Sequence, residues 1–218
     1  MSVAAHAGEG AHEHGHLAAS YGETPELIER RERLGVLLLI GGDMIFVFCL
    51  VFTYLYLRGL NVNGHWLPAG IQTASIAMTW TIAVIAVASA LVYVWAAGGM
   101  SKGLTSRLRA GTGIALLLLL ADLVLQIVQI ATIPFRATSG AYASSFLVMA
   151  GYHVVHLVVA IFVGLAILSR AGRGLFRPDH HGQVRLAAYF WVWVGISAVL
   201  FAVCLLFTAP LGAAANVS

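Results

Sequence analysis

Five long apolar runs dominate this chain of 218 residues and leave few folds open to it. They cover roughly residues 34–57, 71–97, 112–133, 145–168 and 186–211. Each has about 20 or more residues, enough for an α-helix rising ~1.5 Å per residue to cross a hydrocarbon core of roughly 30 Å. None shows the period-two alternation of an outer-membrane strand. Only 10% of the residues are charged and the mean hydropathy is +0.90, which is too little charge to cover a soluble domain. The sequence therefore predicts an all-α integral membrane bundle of five transmembrane helices, with one domain over 34–211.

Charge supplies the orientation. A net charge of +3 would suggest nucleic acid as a partner in a soluble protein. Here the basic residues sit in short connections between apolar runs, so they read as topology signals and no nucleic acid is expected. Arg30, Arg31, Arg33, Lys102, Arg107, Arg109, Arg170, Arg173, Arg177 and Arg185 fall on one side, against Arg58 and Arg136 on the other. The positive-inside rule then predicts a cytoplasmic N-terminus and a C-terminus outside.

Residues 1–33 are expected to form a flexible tail, because their polar, Ala-, Gly- and His-rich composition cannot bury enough apolar surface to order itself. The alternating His12, His14 and His16 could bind metal, although a solvated tail is the simpler reading. Thr24 followed by Pro25, with Glu26 and Glu29 next, marks a helix start. It predicts a short interfacial helix running into the membrane. The first apolar run begins too late and is too long for a secretory signal peptide, so none is expected. Residues 212–218 form a short C-terminal tail. Cys49 and Cys204 both lie in apolar runs, which argues against a disulfide or a zinc site.

The polar residues at membrane depth are few: Asp43, Asp122, Gln126, Gln129, His153 and His156. Each is costly in lipid and should face protein, water or a partner. Asp122, Gln126 and Gln129 share one stripe of the third helix, and His153 and His156 share a face of the fourth. Gly41 and Gly42, just before Asp43, would let a neighbouring helix approach closely. Three readings of the histidines stand side by side: a metal or haem ligand, a proton relay, or a hydrogen-bonding contact between helices. No other helix supplies a histidine at that depth, and an i, i+3 pair on one helix cannot enclose a metal alone. Contact between helices is therefore favoured, and no metal ligand or catalytic residue is expected. A transporter relay through Asp43, Asp122 and the histidines stays open, though no inverted repeat or mid-span proline accompanies it.

Three stretches resemble subunit III of the haem–copper terminal oxidases, in its five-helix bacterial form. RLGVLLLIGGD places Arg33, Gly35 and Asp43 at the family spacing, with Asp where Glu is usual. GAYASSFLVMAGYHVVHLVVAIFVG places Gly140, Tyr142, Ser144, Phe146, Gly151, His153 and His156 without a gap. DHHGQVRLAAYFWVW supplies His180, His181 and Trp191. The chain departs from the family at Gln129, Val192, Gly195 and Arg185, where Glu, His, Asp and an acidic residue are usual.

The resemblance implies a non-catalytic accessory subunit that binds no haem or copper. Those cofactors would lie in partner subunits, and phospholipid would be bound. The implied partners are the catalytic subunit I, subunits II and IV, and membrane lipids, in a bacterial inner membrane. Arg33, Gly35, Tyr142, Trp191, His180 and His181 would contact subunits or lipid. Asp43, Asp122, Gln126, Gln129, His153 and His156 would be buried structural groups. A subunit III-like companion of nitric oxide reductase and a small transporter are the alternatives. The topology has a direct check: a reporter fused after Ser218 should be active only when exported, and a cytoplasmic signal would exclude it.

Overall fold

A computed structural model describes residues 25–176 and 181–208. The histidine tail up to residue 24, His180, and the C-terminal tail with the end of the fifth apolar run lie outside the described residues. The described chain forms five long helices: α1 (Pro25–Leu60), α2 (Ile76–Ala97), α3 (Thr105–Thr132), α4 (Ala141–Gly172) and α5 (Gly182–Cys204). All five contain spans long and apolar enough to cross a membrane. There is no strand among the described residues.

Helix boundaries follow local chemistry more than hydropathy. The helix expected to start near Pro25 and run into the membrane is continuous with the first span: α1 is one helix of 36 residues. Nothing between Pro25 and Leu60 breaks it, since Pro25 sits at the start, where its missing N–H costs nothing. The second apolar run begins at 71, yet α2 starts at Ile76, where the Ser75 hydroxyl accepts from Met78 N at 3.3 Å. Pro134 lies just beyond α3, and Gly98, Gly99 and a left-handed Gly103 turn the chain between α2 and α3. The fifth helix ends at Cys204, short of the apolar run.

The helices form a ring in which α1 touches α4 and α5, α2 touches α3 and α5, and α4 also packs on α3 and α5. Small residues set the close approaches. A Cβ on Gly111 would lie 2.4 Å from the Ala96 Cβ, so α2 and α3 meet there almost backbone to backbone. A Cβ on Gly164 would strike Leu116 and Trp191. Trp191 stacks on Tyr93 with centroids 4.2 Å apart, and its indole N–H donates to Ser89, whose hydroxyl donates to Ala115 O at 2.9 Å. Three helices are thus tied at one level.

Loops at one end are tied by a second cluster. Trp66, Tyr54, Tyr142 and Phe135 pack edge to face. His65 O and Trp66 O accept from Ala141 N and Tyr142 N at 3.0 and 2.9 Å, and the Tyr142 hydroxyl accepts from Ala74 N at 2.9 Å. The α1–α2 loop is therefore stitched to the start of α4. By contrast α1 is a peripheral helix. Leu38, Ile45 and Phe52, seven residues apart, are each about two-thirds exposed and present an apolar stripe outward.

Cβ atoms placed at Gly35, Gly41 or Gly42 would meet nothing within 4 Å. The expected close helix approach at Gly41 and Gly42 is therefore corrected: the neighbouring helices reach α1 through long side chains instead. The tight crossing at Gly111 generates a test. Gly111→Ala should destabilise the protein by about 1–3 kcal/mol through overpacking. Gly113→Ala, with nothing within 4 Å of its Cβ, should be neutral or slightly stabilising. Thermal melts of both variants in detergent check this, and equal melting temperatures would disprove the crossing.

Candidate functional site

Asp43 sits in the middle of α1, where no lipid group can solvate a carboxylate. It finds three donors on the two helices that α1 touches. Tyr152 of α4 donates its hydroxyl to Oδ1, and Trp193 of α5 donates its indole N–H to Oδ2. His156 Nε2, also on α4, lies 2.8 Å from Oδ2. Facing a carboxylate oxygen that can only accept, Nε2 is placed to donate. The His156 ring also meets Tyr152 edge on, with centroids 4.6 Å apart. The Asp43 side chain keeps 17% of its surface exposed and that of His156 keeps 4%.

A second pair lies deeper. His153 Nε2 stands 3.5 Å from Asp122 Oδ2, and Asp122 has no exposed surface. That separation is at the limit for hydrogen bonding, and neither Asp122 oxygen has a hydrogen-bond partner. Below it the α3 stripe continues. Gln126 Nε2 donates to Gln129 Oε1 at 3.1 Å, Gln129 Nε2 donates to Thr79 Oγ1 at 2.6 Å, and the Thr79 hydroxyl donates to Ser75 O at 3.1 Å. The i, i+3 histidines of α4 thus point to different helices: His156 to α1 and His153 to α3.

The six polar residues singled out in the sequence lie on three helices, α1, α3 and α4, and fall into two groups, one around Asp43 and one along the α3 stripe. The other candidates divide. Tyr142 and Trp191 are fully buried inside this chain, so their expected contact with subunits or lipid is corrected to internal packing. Arg33 is exposed on α1, Gly35 lines a groove, and His181 stands at the start of α5. Arg185 forms an exposed ion pair with Glu29 at 2.7 Å, and Gln183 donates to Glu32 at 3.1 Å, joining the beginnings of α1 and α5.

Sequence reasoning missed Tyr152, Trp193, Thr79 and Ser89 as polar partners. Aromatic residues and hydroxyls are common in membrane helices for packing alone, so only position reveals these. Cys49 and Cys204 are both free. Among the described residues no group of three or more His, Cys, Asp or Glu is placed to hold a metal ion.

An apolar groove of about 450 Å³ runs between α1, α4 and α5. Gly35, Leu39, Val163 and Phe190 line its length, and Glu32, Arg170 and Gln183 add its polar groups.

Five spanning-length helices pinned by carboxylates, histidines and amides at membrane depth define a multi-pass membrane protein. Residues 16–209 match the family model described as cytochrome c oxidase subunit III. The chain belongs to that family. It is 26% identical over 174 residues to cytochrome c oxidase subunit 3 of Latimeria chalumnae, covering 78% of this chain and 66% of the relative. The corresponding protein of Danio rerio is 25% identical with the same coverage. That of Prototheca wickerhamii is 25% identical over 185 residues, covering 79% of this chain and 68% of the relative. The chain thus spans about two-thirds of the length of the curated relatives it matches.

Substitutions at Asp43 test the geometry. Asp43→Leu strands three donors and should destabilise the bundle by about 1–3 kcal/mol. Asp43→Asn keeps one acceptor oxygen and the shape, so it should retain most of the stability. Trp193→Phe removes a single donor and should cost about 1 kcal/mol. Thermal unfolding in detergent orders the three, and a neutral Asp43→Leu would show that the donors are satisfied elsewhere.

Proposed function

We propose that this chain is a non-catalytic accessory subunit of a respiratory haem–copper oxidase. It packs on the catalytic subunit I, holds the complex together and supports proton uptake during oxygen reduction. The observation that carries this reading is the Asp43 site. Its carboxylate is surrounded by donors from its own chain, and both membrane-depth histidines face carboxylates. Such a site holds helices together and leaves redox chemistry to another subunit. Haem and copper then belong to partner subunits, with subunits II and IV completing the complex.

The membrane in this reading is a bacterial inner membrane, and the loop charges support an N-terminus on its cytoplasmic side. The groove between α1, α4 and α5 supports a bound phospholipid. Its walls suit an acyl chain, and the Arg170 guanidinium suits a phosphate.

Pull-down of the tagged chain from native membranes, followed by a visible spectrum, tests the proposal. A co-purifying oxidase with haem bands is expected. Deleting this subunit should leave those bands almost unchanged while turnover becomes less durable. Partners without haem would remove the proposal, and loss of a haem band with subunit I intact would make this chain a ligand donor. A nitric oxide reductase in the pull-down would transfer the accessory role to that enzyme.

A further inference from the structure

The α3 stripe ends at a feature that the Asp43 site leaves unexplained. A cavity of about 30 Å³ lies among α2, α3, α4 and α5, with Thr79, Gln126, Gln129, Ala150 and His153 in its walls. A water needs roughly 10–15 Å³ of such volume and two to four polar partners. His153 is 2% exposed, and neither of its ring nitrogens has a hydrogen-bond partner in the protein. Both oxygens of Asp122 are in the same condition. Leaving such groups unpaired in an apolar interior is costly, and buried waters are found where they offset that cost.

The polar lining also has a direction. At ~1.5 Å per residue, Asp122, Gln126 and Gln129 lie about 15, 9 and 4.5 Å from the last residue of α3. The hydrogen bonds from Gln126 through Gln129 and Thr79 reach Ser75, which is exposed at the start of α2. In the other direction, residues 113–121 of α3 (GIALLLLLA) carry no polar side chain.

We infer that this cavity is a hydration site. It binds one water against His153, and that water is replaced only from the end of the bundle where α3 stops and α2 begins. The Asp122–His153 pair is thereby a proton-exchanging site open to one side and separate from the Asp43 site. In D2O the exchange swaps a ring N–H proton for a deuteron and releases HDO, with no net movement of charge.

Water-edited solid-state NMR on the full chain in liposomes, with 15N-labelled histidine and tryptophan, tests this. The His153 signal is assigned by its loss in His153→Gln. Magnetisation from water should reach the His153 ring N–H several-fold faster than it reaches the Trp191 indole N–H, which is buried without exposed surface. Gln129→Leu should slow the transfer to His153 several-fold while leaving the His156 signal unchanged. Ala150→Val, which fills the cavity from another helix, should abolish it, and covers the case in which Gln129→Leu fails to fold. A His153 signal as slow as that of Trp191, or one unaffected by both variants, would overturn the hydration site.

Discussion

A carboxylate at the centre of a membrane helix must be met by donors from protein, because lipid offers none. In this chain that constraint falls on Asp43, and the placing of α1 depends on it. The other ties of this helix are few: Glu29 and Glu32 hold its start to α5, and Val47 and Tyr54 are its buried apolar contacts. Most of its side chains face outward, and Gly35, Gly41 and Gly42 make no close crossing. Van der Waals packing, the usual glue between membrane helices, is therefore weak along α1. Three directed hydrogen bonds to α4 and α5 supply register as well as attachment, since a shift of one residue would turn Asp43 away from all three donors.

The other four helices are assembled differently. There the approaches are close and the contacts are many: Gly111 over Ala96, Gly164 against Trp191 and Leu116, and the alanine face of Ala83, Ala86, Ala198 and Ala202. The bundle thus has a tightly packed core of four helices and a peripheral fifth held by a polar anchor. The apolar groove lies along the boundary between these two parts. A groove there follows from attaching a helix through long side chains, which hold it at a distance that packing alone would close.

Much of this was legible in the chain itself. Length and hydropathy determine five helices, because backbone polar groups in lipid must bond within their own segment and only a helix does this locally. Rarity marks Asp43, Asp122, Gln126, Gln129, His153 and His156, since each must have a partner to be tolerated at that depth. Spacing places the histidines on one face of α4. Helix ends were less legible. Hydropathy does not register the Ser75 cap, so it started the second span several residues too early.

Which partner each polar group takes was decided only by tertiary structure. The sequence offered two histidines and two carboxylates without a pairing. The pairing came from the ring order of the helices, which sets α4 between α1 and α3 so that residues three apart turn to opposite neighbours. Tyr152 and Trp193 became donors for the same reason. Tyr142 and Trp191, whose motif suggested an outward contact, were turned inward by the packing of loops and small residues around them. Sequence fixes the inventory of groups that must be satisfied, because the cost of each in hydrocarbon is a local property. The distances between groups on different helices depend on crossings made by residues far apart in the chain, and those exist only once the bundle is assembled.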